Sequence, residues 1–182
     1  MPSVRCFVAL DVSEAIRKAL GEVACVLRRR VDDVRWVRPE GVHLTLKFLG
    51  DVDRTRLGEI GESLRQGVKG PPIALELASL GGFPRRDRAR VVWVGLNGDL
   101  EALGRLQGEV EAALERVGFE RERRDFSPHL TLGRARRSPV EVPDIPIPEL
   151  SFEGSVVSLM ESRLQTGGAV YVPIDEFQLP PA

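Results

Sequence analysis

The chain has 182 residues, 42% of them hydrophobic and 29% charged, with a formal net charge of −1; this is the profile of a soluble globule, not of a disordered or fibrous chain. The near-zero charge gives no global pull toward nucleic acid. No run approaches the roughly 18 apolar residues of a transmembrane helix, and the N-terminal Cys6-Phe7-Val8-Ala9-Leu10 stops at Asp11, short of a signal peptide, so a cytoplasmic protein is expected.

Val4 to Leu10 predicts a first strand, and Ser13 followed by Glu14 predicts the capped start of a helix running to about Arg30. Ile16, Leu20, Val23, Val26 and Leu27 recur at helical spacing and form its expected buried stripe. Cys6 and Cys25 are expected as two buried, reduced thiols rather than a disulfide or a metal pair. A short strand at Val34-Arg35-Trp36-Val37 ends at Pro39, and a longer one covers Val42 to Gly50. Alternation there sends Val42, Leu44, Leu46 and Phe48 one way and His43, Thr45 and Lys47 the other, with Leu49 outside the pattern.

Leu57, Ile60, Leu64 and Val68 predict a second helix, closed by Gly70, Pro71 and Pro72. Ile73 to Leu80 reads as a strand, Gly81-Gly82-Phe83-Pro84 as a turn, and Arg90 to Leu96 as a strand ending at Asn97-Gly98. Leu100, Leu103, Leu106, Val110, Ala113, Leu114 and Val117 mark a third helix between Asp99 and Gly118. Pro128 holds the chain extended ahead of a strand in which His129, Thr131 and Gly133 share one face. Leu130, Leu132 and Arg134 take the other, so Arg134 reaches the histidine face only through a bulge, a twist or its own length. Pro139, Pro143, Pro146 and Pro148 make the next segment an extended connector. Phe152 to Met160 and Ala169 to Phe177 close the chain as a hairpin around Thr166-Gly167-Gly168.

Both histidines of the chain occupy the same tetrapeptide, His43-Leu44-Thr45-Leu46 and His129-Leu130-Thr131-Leu132. The order of elements around them reads as a duplicated unit, two lobes about a pseudo-two-fold axis with a cleft between. In a strand, residues i and i+2 share a face roughly 6.5–7 Å apart, so each motif offers a proton carrier beside a hydroxyl. Two such strands face to face would put an imidazole on each side of one phosphorus atom, one ring to take a proton and one to give it. Thr45, Thr131 and a nearby cation would meet the charge on the phosphoryl oxygens, and Lys47 is placed on the histidine face for that purpose. The chemistry needs no metal or cofactor, and zinc spacings such as C-x-x-C and H-E-x-x-H are missing from the sequence. The sequence also lacks a G-x-S-x-G elbow, which weighs against a Ser-His-Asp hydrolase. Arginine clusters at residues 28–30, 85–90 and 121–137 read mainly as solvated faces, with phosphate contact the sharper alternative.

The segments His43 to Gly50 (HLTLKFLG) and Phe126 to Arg134 (FSPHLTLGR), with Arg5 to Leu10, Trp36-Val37 and the closing Leu159 to Tyr171, resemble the 2H phosphoesterases, within them the 2′-5′ RNA ligase-like RNA 2′,3′-cyclic phosphodiesterases. The resemblance covers nearly the whole chain. It implies one α+β domain over residues 1–182, bilobal, with antiparallel sheets packed by helices around a central groove. It implies His43 and His129 as the catalytic pair, Thr45 and Thr131 as phosphate ligands and Arg134 as a further one. Phe48 and Tyr171 would stack on a base or shape the groove. The implied substrate is the 2′,3′-cyclic phosphate of an RNA 3′ end, opened to a 2′-phosphomonoester, with His129 as base and His43 as acid. The reverse reaction would join a 5′-hydroxyl in a 2′-5′ linkage. A small cyclic nucleotide, a 2′-5′ oligoadenylate and a non-catalytic RNA-end binding module are the alternatives; a monomer without a membrane partner is expected.

Overall fold

The computed structural model describes residues 2–181. In chain order its elements are β1 (Ser3–Leu10), α1 (Glu14–Arg28), β2 (Val34–Trp36), β3 (Leu44–Asp53), α2 (Leu57–Gly67), β4 (Ile73–Phe83), β5 (Val91–Gly98), α3 (Leu100–Glu115), β6 (His129–Ala135), β7 (Ser151–Gly154), β8 (Val156–Gln165) and β9 (Gly168–Gln178). The strands form one antiparallel sheet in the order β7-β4-β5-β6-β3-β1-β8-β9, with β2 alongside β6. The sheet curls into a half-barrel of two repeated units, an α+β fold. The two sets of four strands meet at a single backbone pair, Leu44 with Leu130.

The local reasons for these elements are visible residue by residue. Ser13 caps α1 by accepting a hydrogen bond from the Ile16 amide (3.4 Å). Ile16, Leu20, Val23 and Leu27 are buried as their spacing requires, but the stripe is narrower than expected: Val26 is 42% exposed and Cys25 is exposed, while Cys6 is buried. The helical apolar faces and the inner faces of the strands join in one continuous core. α1 packs near β2 and β6, α3 near β3 and β4, and α2 against α3.

Two stretches differ from their sequence pattern. Gly81, Gly82 and Phe83 continue β4 instead of turning, because a Cβ at Gly81 would collide with the Trp93 ring on β5. The strand expected over Phe152 to Met160 divides at Ser155, with β7 on β4 and β8 on β1. Leu10 occupies the space a Cβ on Gly154 would need, 2.5 Å from its Cδ2. The Asp11 carboxylate accepts from the amides of Ser155 (3.4 Å) and Val156 (3.0 Å), fixing the point where the chain passes from one half to the other.

Both motif strands carry one extra residue at the same place. Val8 pairs with Lys47 and Ala9 with Thr45, so Leu46 is bulged; Val92 pairs with Gly133 and Trp93 with Thr131, so Leu132 is bulged. A bulge leaves a carbonyl outside the ladder and shifts the face of every residue beyond it. Each orphan carbonyl finds a partner off its ladder: Gln107 of α3 donates to Leu46 O (3.4 Å) and the Val37 amide to Leu132 O (2.8 Å). The alternation read from sequence therefore reverses after the second leucine of each motif. Phe48 lies on the histidine face opposite Phe7, Lys47 turns to the helical side, and Arg134 shares the face of Thr131.

Gly133, the residue after the second bulge, is packed under β2: a Cβ there would lie 2.6 Å from Val34 Cγ1 and 2.9 Å from Trp36 Cε3. Gly133→Ala should therefore lower the urea midpoint at unchanged slope, by about 1–3 kcal/mol of stability. An unchanged midpoint would show that β2 yields freely.

Candidate active site

The concave face of the half-barrel encloses a groove of about 1000 Å³ lined by both motif strands. His43 immediately precedes β3, two residues after the 3-10 turn Pro39–Gly41, and His129 is the first residue of β6. Each ring is held in the same way. The His43 Nδ1–H donates to the Gly41 carbonyl and the His129 Nδ1–H to the Ser127 carbonyl, both at 2.7 Å and both two residues upstream. A carbonyl can only accept, so Nδ1 carries the hydrogen on each ring and Nε2 is left as the reactive nitrogen. The Thr45 hydroxyl donates to His43 Nε2 (3.0 Å).

Counting outward from the Leu44–Leu130 pair in the antiparallel sense, His43 falls opposite Thr131 and Thr45 opposite His129. Each histidine thus has a threonine on its own strand and another across the gap. His43 stacks on Phe7 (centroids 4.5 Å apart, planes 27° apart) with Tyr171 at its edge (4.8 Å). His129 has Phe83 at its edge (4.9 Å) and Trp93 tilted beside it (6.1 Å). Burial pushes the His43 imidazolium down to about 4 against the pull of the Gly41 carbonyl, and the charges of Arg134, Arg17 and His129 push the same way. His129 is lowered too, first by burial and then by Arg134, with the Ser127 carbonyl opposing. One arginine therefore acts on both rings, and both are held neutral near pH 7.

The LigT-like phosphoesterase family matches this chain twice, over residues 10–93 and 94–171, one copy for each motif. This chain belongs to the LigT-like phosphoesterases. An RNA 2′,3′-cyclic phosphodiesterase of Thermotoga maritima is 33% identical over 180 residues, 96% of this chain and 95% of the relative. One of Methanothermobacter thermautotrophicus is 34% identical over 185 residues, 97% and 99% of the two chains. Among solved structures, Escherichia coli LigT complexed with 3′-AMP superposes with a TM-score of 0.83 at 27% identity, covering 98% of this chain and 99% of that one.

In this LigT-like chain the groove gathers His43, His129, Thr45, Thr131, Arg134, Phe48 and Tyr171. Phe48 is 65% exposed at its rim. Lys47 also lines it but is only 8% exposed, and its ammonium is engaged by the Glu111 carboxylate and the Glu120 carbonyl, both at 2.7 Å. The free lysine expected beside the phosphate is thus a buried ion pair. Glu111 is satisfied further by Gln107 (3.0 Å) and by the Glu122 amide (3.3 Å). The pair therefore fastens the segment after α3, which leads to Ser127 and His129, onto β3. Among the described residues no three His, Cys, Asp or Glu side chains gather as a metal-ligand set, and no helix is long and apolar enough to cross a membrane.

Sequence reasoning misses the rings around the histidines. By pattern alone Phe7 belongs to an apolar first strand, Phe83 to a turn, and Trp93 to an ordinary strand. The signal that distinguishes them is register: Phe7 pairs with Phe48, Phe83 with Val91, and Trp93 with Thr131.

Lys47→Met leaves the Glu111 carboxylate buried without its cation and should cost about 3–5 kcal/mol, read by urea unfolding. The double variant Lys47→Met/Glu111→Leu should recover most of that loss. A single variant within ~0.5 kcal/mol of the parent, below the cost of any broken buried pair, would contradict the clamp.

Proposed function

We propose that this protein hydrolyses the 2′,3′-cyclic phosphate at RNA 3′ ends to the 2′-phosphomonoester by acid–base catalysis between His43 and His129, without a metal ion. The observation that carries this reading is the shared geometry of the two rings: each is locked through Nδ1 to a carbonyl, with Nε2 on the same groove. The relatives named RNA 2′,3′-cyclic phosphodiesterase along nearly the whole chain support the substrate class.

In the proposed reaction the cyclic phosphate lies between the rings, its free oxygens received by Thr45, Thr131 and Arg134. His129 takes a proton from water as the water oxygen bonds to phosphorus. The bond from phosphorus to the 3′-oxygen breaks, and His43 gives that oxygen a proton. Proton exchange with solvent then resets both rings. Burial opposes a charged His43 in the free protein, so the negative phosphate itself must hold the proton on that ring. Phe48 and Tyr171 are proposed to bound the terminal nucleoside. With a 5′-hydroxyl in place of water, the same steps form a 2′-5′ linkage as the bond to the 3′-oxygen breaks.

Turnover of an oligonucleotide ending in a 2′,3′-cyclic phosphate should persist in EDTA and fall by about 10²–10⁴-fold in His43→Ala and in His129→Ala. Full activity in either variant would sink the mechanism. The catalytic form carries one proton on the pair, so kcat/KM should trace a bell between the two free-protein values. Because both lie below 6.5, with His43 near 4, the maximum should fall on the acid side of pH 6.5; a maximum above 7 would contradict the burial argument. A phosphodiester with a leaving group that needs no proton should restore His43→Ala and not His129→Ala. Rescue of His129→Ala alone would reverse the two roles.

A further inference from the structure

The two ends of the groove are chemically different, and the antiparallel motif strands are the reason. β3 runs from Thr45 to Phe48 and β6 runs in the opposite sense from Thr131 to Arg134, so Phe48 and Arg134 mark opposite ends. Phe48 and Phe7 make the first end aromatic, their centroids 6.1 Å apart.

The other end is cationic. Arg35 on β2 is the direct cross-strand partner of Arg134 on β6. Like charges placed opposite each other on one face repel, so this pairing weakens the sheet unless an anion lies over it. Arg38 immediately precedes the 3-10 turn that leads to His43. Both side chains lie against the β8–β9 turn: a Cβ on Gly167 would be 2.5 Å from Arg38 Nη2, and one on Gly168 would be 3.9 Å from Arg35 Cδ. Arg35 and Arg38 are both exposed, and both line the groove. Among the described residues neither makes an ion pair; of the three groove acids Glu111 and Glu122 are already matched to Lys47 and Arg124, which leaves Asp125 alone against the two guanidinium groups and Arg134. The chain as a whole is slightly acidic, so this unmatched positive charge is a local feature and not a general excess. The groove's volume of about 1000 Å³ is at the upper end of the roughly 300–1,000 Å³ of small-molecule sites, leaving room beyond a single nucleotide.

We propose that Arg35 and Arg38 form a second phosphate subsite that receives the phosphodiester preceding the terminal nucleotide, which makes an RNA strand, not a lone nucleoside cyclic phosphate, the preferred substrate. The proposal rests on the reading that the groove acts on cyclic phosphate ends. Guanidinium forks suit it, since each can give a phosphate two parallel hydrogen bonds. The added hydrogen bonds act on binding of the strand and leave the proton chemistry at the histidines unchanged.

The test compares the parent protein with Arg35→Gln, Arg38→Gln and the double variant on three substrates. These are a nucleoside 2′,3′-cyclic phosphate, the dinucleotide with the same end, and the tetranucleotide. In the parent, kcat/KM should rise by about tenfold or more when the first internal phosphate is added, the scale of one charge-assisted hydrogen bond. The double variant should lose that gain while turning over the mononucleoside at the parental rate, which also reports an intact fold. Its salt dependence on the dinucleotide should flatten by about 0.7 in log–log slope for each phosphate no longer neutralised. A parent protein indifferent to the internal phosphate would overturn the subsite, as would a double variant slowed equally on mononucleoside and dinucleotide. Absence of turnover on all three substrates by the parent would instead overturn the parent reading and the subsite with it.

Discussion

Leu44 and Leu130 form the one backbone pair between β3 and β6, and the strands part on either side of it. Had the two motif strands run together along their length, the sheet would have been continuous and its concave side too closed for a substrate. Instead β1 takes the open edge of β3, while β2 and β5 flank β6. The pinch point lies between the histidine and the threonine of each motif. The residues that flank the narrowest part of the groove are therefore the two histidines and the two threonines, the groups assigned to one phosphate in the proposed reaction. The bulges at Leu46 and Leu132 widen the opening further and bring Phe48 and Arg134 onto the same concave face.

Electrostatics then separates the jobs that similar residues could have shared. Lys47 and Arg134 are both cations near the motifs, but Lys47 is buried against Glu111 and holds the approach to β6, while Arg134 stays in the groove. The histidines are tuned by the same economy: backbone carbonyls fix their tautomers, and aromatic neighbours remove water from them. A neutral imidazole in a half-dry pocket is easily charged by an arriving anion, so in the proposed reaction the phosphate itself would arm the site. The double match to the LigT-like phosphoesterase family, once per motif, fits an origin in which the two halves kept the His-Leu-Thr-Leu tetrapeptide and diverged at the positions after it.

Much of this is legible in the sequence. The repeated His-Leu-Thr-Leu, the extended Pro128 approach and the helical stripes locate the motif strands and the cleft between them. The bulges cannot be read there. A leucine that is bulged and one that is paired look identical in a period-two pattern, so strict alternation places Phe48 on the wrong face and Lys47 in the groove. Arg134 is the exception, because a bulge is one of the routes by which it can arrive. Crossing at Ser155 is hidden for a related reason: Gly154 and Ser155 interrupt no hydrophobic run, and only Leu10 and Asp11, far away in sequence, demand the break. The arginine clusters draw attention by their density, whereas Arg35 and Arg38, isolated in sequence, acquire meaning only through the strand opposite and the turn above them.

The central claim is that two histidines address one phosphate. The chain contains only these two histidines, so their ring protons can be followed by NMR across a pH titration, alone and saturated with a nucleoside 2′-monophosphate. Alone, His43 should titrate near 4 and His129 below 6.5. With the ligand bound, both midpoints should move upward together and saturate at the same ligand concentration. A shift confined to one ring, or a free His43 that titrates near 6.5, would contradict the claim.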